Sequence, residues 1–134
     1  MREYLQFYIN GEWVDPVEPR PFNVINPATE AVCARISLGS EADIDRAVAA
    51  ARAAFDSYGV STREERLALL ERCAEVYKRR YDDMATVISE EMGAPKMLAE
   101  KAQAHTGLGH LKQAAKVLRD FDFEEDLGPH RVVK

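Results

Sequence analysis

Tyr8-Ile9-Asn10-Gly11-Glu12-Trp13-Val14, followed after a proline-rich gap by Phe22-Asn23-Val24-Ile25-Asn26-Pro27-Ala28-Thr29, decides how the chain is read. Asn10-Gly11 stands between apolar residues, and both of its members tolerate the positive φ that a type I′ turn needs, so the pair predicts a β-hairpin. Asn26-Pro27 marks a second turn. The β-type runs expected around these turns are Gln6 to Ile9, Glu12 to Val14, Val24 to Ile25 and Glu30 to Ser37. Pro16, Pro19 and Pro21 separate the first pair from the rest and forbid regular pairing there.

Beyond Ser40 the pattern changes to a spacing of three and four residues, which predicts three helices over residues 40–121. The first has Ser40 as N-cap with Asp43 three residues on, and Ile44, Ala47, Val48, Ala51 and Phe55 as one buried stripe; Gly59 ends it. The second can start in either of two registers, Ser61 with Glu64 or Thr62 with Glu65. Leu67, Leu70, Cys73, Ala74, Tyr77, Tyr81, Met84 and Ile88 then give it one continuous apolar face. Gly93 suits the position just past its end, and Pro95 suits the first turn of the next helix. That third helix runs from about Pro95 to Phe121, with Leu98, Ala102, His105, Leu108, Leu111, Ala115 and Leu118 facing inward.

Composition bounds the function. The 134 residues are 46% hydrophobic and 31% charged, as expected of one globular domain, and the net charge of −5 is spread along the chain. Nucleic acid is not an expected partner, because neutralising phosphates requires a clustered basic surface and Lys78-Arg79-Arg80 is only a short solvated run. No apolar stretch approaches membrane-spanning length, so no membrane partner is expected. The first residues lack a signal-peptide core, and a cytoplasmic location is the expectation.

Taken together, Ile9-Asn10-Gly11-Glu12-Trp13, Asn26-Pro27-Ala28-Thr29, the helix from Ser40 to Phe55 and Ser89-Glu90-Glu91-Met92-Gly93-Ala94-Pro95-Lys96 resemble the amino-terminal part of the NAD(P)-dependent aldehyde dehydrogenases. The resemblance implies the amino-terminal portion of an α/β, Rossmann-like fold. As it stands the segment is mainly α with short β-hairpin elements (α+β). It implies one incomplete domain, residues 1–134, belonging to the cofactor-binding domain: 1–39 as β-type runs and turns, 40–121 as three helices, and 122–134 as the start of a strand leading to an oligomerisation arm. That closing strand is expected to lack neighbours here, and the segment to self-associate.

In the complete enzyme such a fold uses NAD or NADP to oxidise an aldehyde to a carboxylic acid. A cysteine thiolate attacks the carbonyl, hydride leaves for the cofactor, and water activated by a glutamate hydrolyses the thioester. The implied partners are the remainder of the dehydrogenase chain and further copies of it in a homo-oligomer. The segment is expected to be inactive and structural, and no cofactor is expected to bind it; a stand-alone helical interaction or scaffold protein is the alternative. The resemblance also carries over a monovalent cation site, with the main-chain carbonyls of Val24 and Ile25 and the Glu91 side chain as oxygen ligands. A solvated charge near a helix end is the other reading of Glu91.

No residue is expected to be catalytic. Cys33 and Cys73 lack the Gly-rich surroundings of the family's nucleophile and read as small buried apolar residues. His105 and His110 are five positions apart and do not share a helix face, which argues against a metal pair. His105 reads as a core or boundary residue and His110 as a surface one. Thr106-Gly107-Leu108-Gly109-His110 has Lys112 where a dinucleotide loop needs its third glycine. Gly107 and Gly109 read instead as places where a neighbouring backbone can approach.

Overall fold

The computed structural model describes residues 2–133. Met1 and Lys134, the latter the last residue of the expected closing strand, lie outside the described residues. The Asn10-Gly11 hairpin is present: β2 (Phe7–Ile9) and β3 (Glu12–Val14) pair antiparallel with Tyr8 opposite Trp13. The two turn residues have φ of 54° and 83°, the left-handed pair that Asn and Gly accept at least cost. A second sheet has the order β1-β5-β4, with β1 (Arg2–Tyr4) parallel and β4 (Pro21–Ile25) antiparallel to the central β5 (Val32–Ser37). Pro21 corrects the expectation that it stands outside regular pairing, since it sits opposite Ser37 as the first residue of β4. Proline is tolerated there because β4 is an edge strand whose opening residue can dispense with its N–H.

α1 (Glu41–Tyr58) begins with a complete capping box between Ser40 and Asp43. Buried Asp43 also accepts the Val17 N–H at 2.9 Å, which ties the proline-rich segment to the helix start. The Ser40 backbone N–H, then that of Val17, hold the Asp43 carboxyl below its usual pKa, against the opposing effect of burial. The stripe expected to be buried on α1 is not: Ile44, Val48 and Phe55 are 62%, 54% and 63% exposed. Period fixes which residues share a face, and no described element lies on this one apart from the β2 hairpin at its edge.

α2 (Arg63–Arg79) takes the Thr62/Glu65 box of the two registers. Ser61 is occupied elsewhere, donating to the Tyr58 carbonyl at 2.6 Å and accepting Arg66 Nε at 2.9 Å. The expected single second helix is two, because Arg80 leaves helical geometry (φ −104°, ψ 19°) and α3 (Tyr81–Met92) restarts behind it. The charges fit two helices: Lys78 and Arg79 close the first at its negative end, and Asp82 and Asp83 open the second at its positive end. Gly93, in the left-handed region at φ 71°, ends α3 and its N–H donates back to the Ser89 carbonyl at 3.0 Å.

The third expected helix is interrupted. α4 (Lys96–Leu98) leads into a π-helical turn, Ala99–Gln103, before α5 (Ala104–Asp120). The wide turn puts Ala99 and Ala104, five positions apart, on one inward face with Leu108 and Ala115, both alanines being wholly buried. An uninterrupted α-helix anchored at Leu108 would turn Ala99 outward and bring Lys101 round to that face. Leu98, Ala102 and His105 are therefore exposed, correcting the predicted stripe and the core reading of His105. Two tyrosines meet the carbonyls of the turn: Tyr81 Oη donates to Glu100 and Tyr77 Oη to Ala104, the latter at 2.9 Å.

The chain closes with a hairpin of β6 (Glu124–Leu127) and β7 (His130–Val133) around Gly128, φ 62°. β7 thus has a partner within the chain, where the sequence suggested none. Among the described residues the buried apolar side chains are alanines and one leucine, so the larger apolar groups lie at or near the surface. No described helix is long and apolar enough to cross a membrane.

Candidate functional site

The chemistry-bearing side chains do not converge. Cys33 is half-buried in β5 and its thiol lies 3.4 Å from the Val24 carbonyl, while Cys73 is exposed on α2, correcting the expectation that it is buried. Cys73 lies in a groove of about 470 Å³ with Val76, Tyr77, Met84 and Leu111. No histidine lines that groove, so no imidazole there is placed to activate the thiol. Among the described residues no three His, Cys, Asp or Glu side chains are grouped as metal ligands.

Gly107 is not part of a phosphate loop. It lies inside α5 against Tyr77, and a Cβ there would fall 2.5 Å from Tyr77 Oη. The glycine lets the tyrosine reach the Ala104 carbonyl. Gly109 sits in the same helix with open space beside it. Residues 106–110 therefore do not form a dinucleotide loop, which needs a strand-to-helix turn with free backbone N–H groups.

The turn that follows Val24 and Ile25 meets the end of the helix that carries Glu91. Val24 and Ile25 end β4, where the pairing slips: Val24 faces Ala34 but Ile25 faces Val32. The chain then turns at Asn26-Pro27, with Asn26 Oδ1 accepting the Ala28 N–H at 2.8 Å and the Asn26 carbonyl accepting the Glu30 N–H at 2.8 Å. Pro27 rests against Gly93 so closely that a Cβ on the glycine would lie 2.7 Å from Pro27 Cγ. Glu91 is exposed two residues before that contact, and Ile25 two residues before its other side. Its neighbour Glu90 pairs with Arg2 of β1. The sequence signalled Gly93 as a helix end; its second task, admitting Pro27, had no local signal.

An uncovered apolar face runs along α1 and the β2–β3 hairpin. Tyr8 and Ile9 flank Ala47, Ala50, Ala51 and Ala54 there, beside exposed Ile44, Val48 and Phe55. Such a face loses free energy in water and gains it on being covered.

The family model for the aldehyde dehydrogenase family matches residues 13–130. A 3-succinoylsemialdehyde-pyridine dehydrogenase from a Pseudomonas species is 50% identical across the whole chain, which corresponds to 28% of that protein. A putative aldehyde dehydrogenase from Staphylococcus aureus is 41% identical, again over the whole chain and 28% of its own length. Among solved structures, an aldehyde dehydrogenase from Bartonella henselae superposes with a TM-score of 0.93 at 44% identity, covering 96% of this chain and 27% of that one. An aldehyde dehydrogenase from Pseudomonas syringae, solved with NAD+ and octanal, gives 0.89 at 40% identity, covering 92% and 25%. The chain thus spans little more than a quarter of the length of the relatives it matches, as their amino-terminal segment.

Proposed function

From the premise that this chain belongs to the aldehyde dehydrogenase family, we propose that it is the outer, non-catalytic layer of an enzyme that oxidises an aldehyde to a carboxylic acid with NAD or NADP. The observation that carries this reading is the uncovered α1 face on a segment whose relatives continue for nearly three quarters of their length beyond what it matches. The nucleophile and the cofactor site belong to that remainder, and no step of the reaction runs through the residues described above. In this reading residues 1–134 are one incomplete domain, the amino-terminal portion of the cofactor-binding domain, in a cytoplasmic homo-oligomer. β6 and β7 then lead toward its oligomerisation arm.

The segment's own chemistry is to hold a monovalent cation with the Val24 and Ile25 carbonyls and Glu91. Two features support the donor set: all of it is oxygen, and the negative end of α3 lies beside the Asn26-Pro27 turn.

The test is an assay of the complete protein carrying this segment, with a panel of aliphatic and aromatic aldehydes and both NAD+ and NADP+. Aldehyde-dependent reduction of one of them is expected. Failure across the panel with both would overturn the assignment, and turnover by the 134-residue segment alone would overturn its inactivity.

A further inference from the structure

β5 carries one more residue than β4 where the ladder slips: Ala34 faces Val24 and Val32 faces Ile25, which leaves Cys33 between them without a partner. A bulge of this kind bends its strand and re-aims the extra side chain. Here the thiol of Cys33 points at the carbonyl of Val24 and donates to it over 3.4 Å. The carbonyl so engaged is one of the two oxygens just assigned to a cation.

We propose that the Cys33 thiol sets the affinity of that cation site, competing through its S–H for the Val24 carbonyl and so holding a monovalent ion more weakly than the bare carbonyl pair would. The inference rests on the cation reading given above. A carbonyl lone pair that already accepts a hydrogen is a poorer donor to a hard ion, and the sulfur cannot take the oxygen's place, because thiols are soft ligands. Cys33 is therefore a positioning residue: it touches the ligand atom, not the ion. The bulge is what gives it that reach.

The experiment uses the complete protein and titrates KCl against choline chloride at constant ionic strength. The readouts are the unfolding temperature and direct binding of thallium(I) as a potassium substitute. Cys33→Ala and Cys33→Val both remove the donor, the first with a smaller and the second with a larger side chain than cysteine, and Cys33→Ser retains one. Loss of one S–H hydrogen bond, at the weak end of the net range, predicts an apparent Kd about twofold to threefold lower in the Ala and Val variants, with Ser at or above the wild type. An unchanged Kd in both overturns the inference, as does a shift in Ala alone, which would report packing. A wild type with no potassium dependence, or one that Glu91→Gln leaves intact, overturns the cation reading itself.

Discussion

α5 buries Ala104 wholly and Leu108 almost wholly, while α1, with larger apolar side chains at comparable spacing, leaves Ile44, Val48 and Phe55 more than half exposed. Both stripes have helical periodicity and both face one way. The difference is that α5 packs against α2, whose Tyr77 bonds to its Ala104 carbonyl, whereas among the described residues α1 meets little beyond the β2–β3 hairpin at its edge. Amphipathic spacing says that a face will be covered and not by what. Burying side chains of this size is worth about 1.5–3 kcal/mol each, so the face of α1 holds stabilisation that the segment alone does not realise.

The strongest way to break this contrast is Phe55→Ala made in both contexts. In the complete protein it is expected to cost about 3–5 kcal/mol by chemical denaturation, as for a large-to-small change in a packed interior. In the 134-residue segment the cost should stay within about 0.5 kcal/mol, and sedimentation should show less self-association than the wild type. Equal costs in the two contexts would erase the distinction between the faces.

The α2–α5 side is sharpened by Gly107→Val. Its Cβ would meet the Tyr77 ring, whose Cζ lies 2.8 Å from the built position, so a loss of about 1–3 kcal/mol is expected in segment and complete protein alike. Tyr77→Phe removes a single hydrogen bond to the Ala104 carbonyl and should cost about 0.5–1.5 kcal/mol in either context. Amide exchange should rise first in the π-helical turn.

A smaller effect is expected from pH at the start of α1. Asp43 has a folded-state pKa below its ordinary 3.8, so its contribution is present above that value and is lost as pH falls through the folded pKa. Asp43→Asn should flatten this part of the acid limb in urea midpoints measured from pH 6 down to pH 2.5. A variant with the wild-type slope would remove Asp43 from the account.

Much of this was legible in local chemistry. Asn10-Gly11, the Ser40/Asp43 box and Gly93 as a helix end each follow from backbone preferences of one or two residues. The break at Arg80 was also written in the chain, in Lys78 and Arg79 followed by Asp82 and Asp83, but the unbroken apolar face masked it. The π-helical turn was not legible, because its cause is tertiary: Ala99 fits against the neighbouring helices only if one extra residue is wound in, and Tyr77 and Tyr81 come from other helices to meet its carbonyls. The meeting of Pro27 with Gly93 is long-range in the same sense, whereas the aim of Cys33 at Val24 comes from a slip between neighbouring strands.

The most direct test of an outer layer that waits for a core is hydroxyl-radical footprinting of Ile44, Val48 and Phe55 in the segment and in the complete protein. Labelling of all three should fall severalfold in the complete protein, while that of exposed Val60, in the loop after α1, stays the same. Equal labelling of the α1 residues in both would contradict the account.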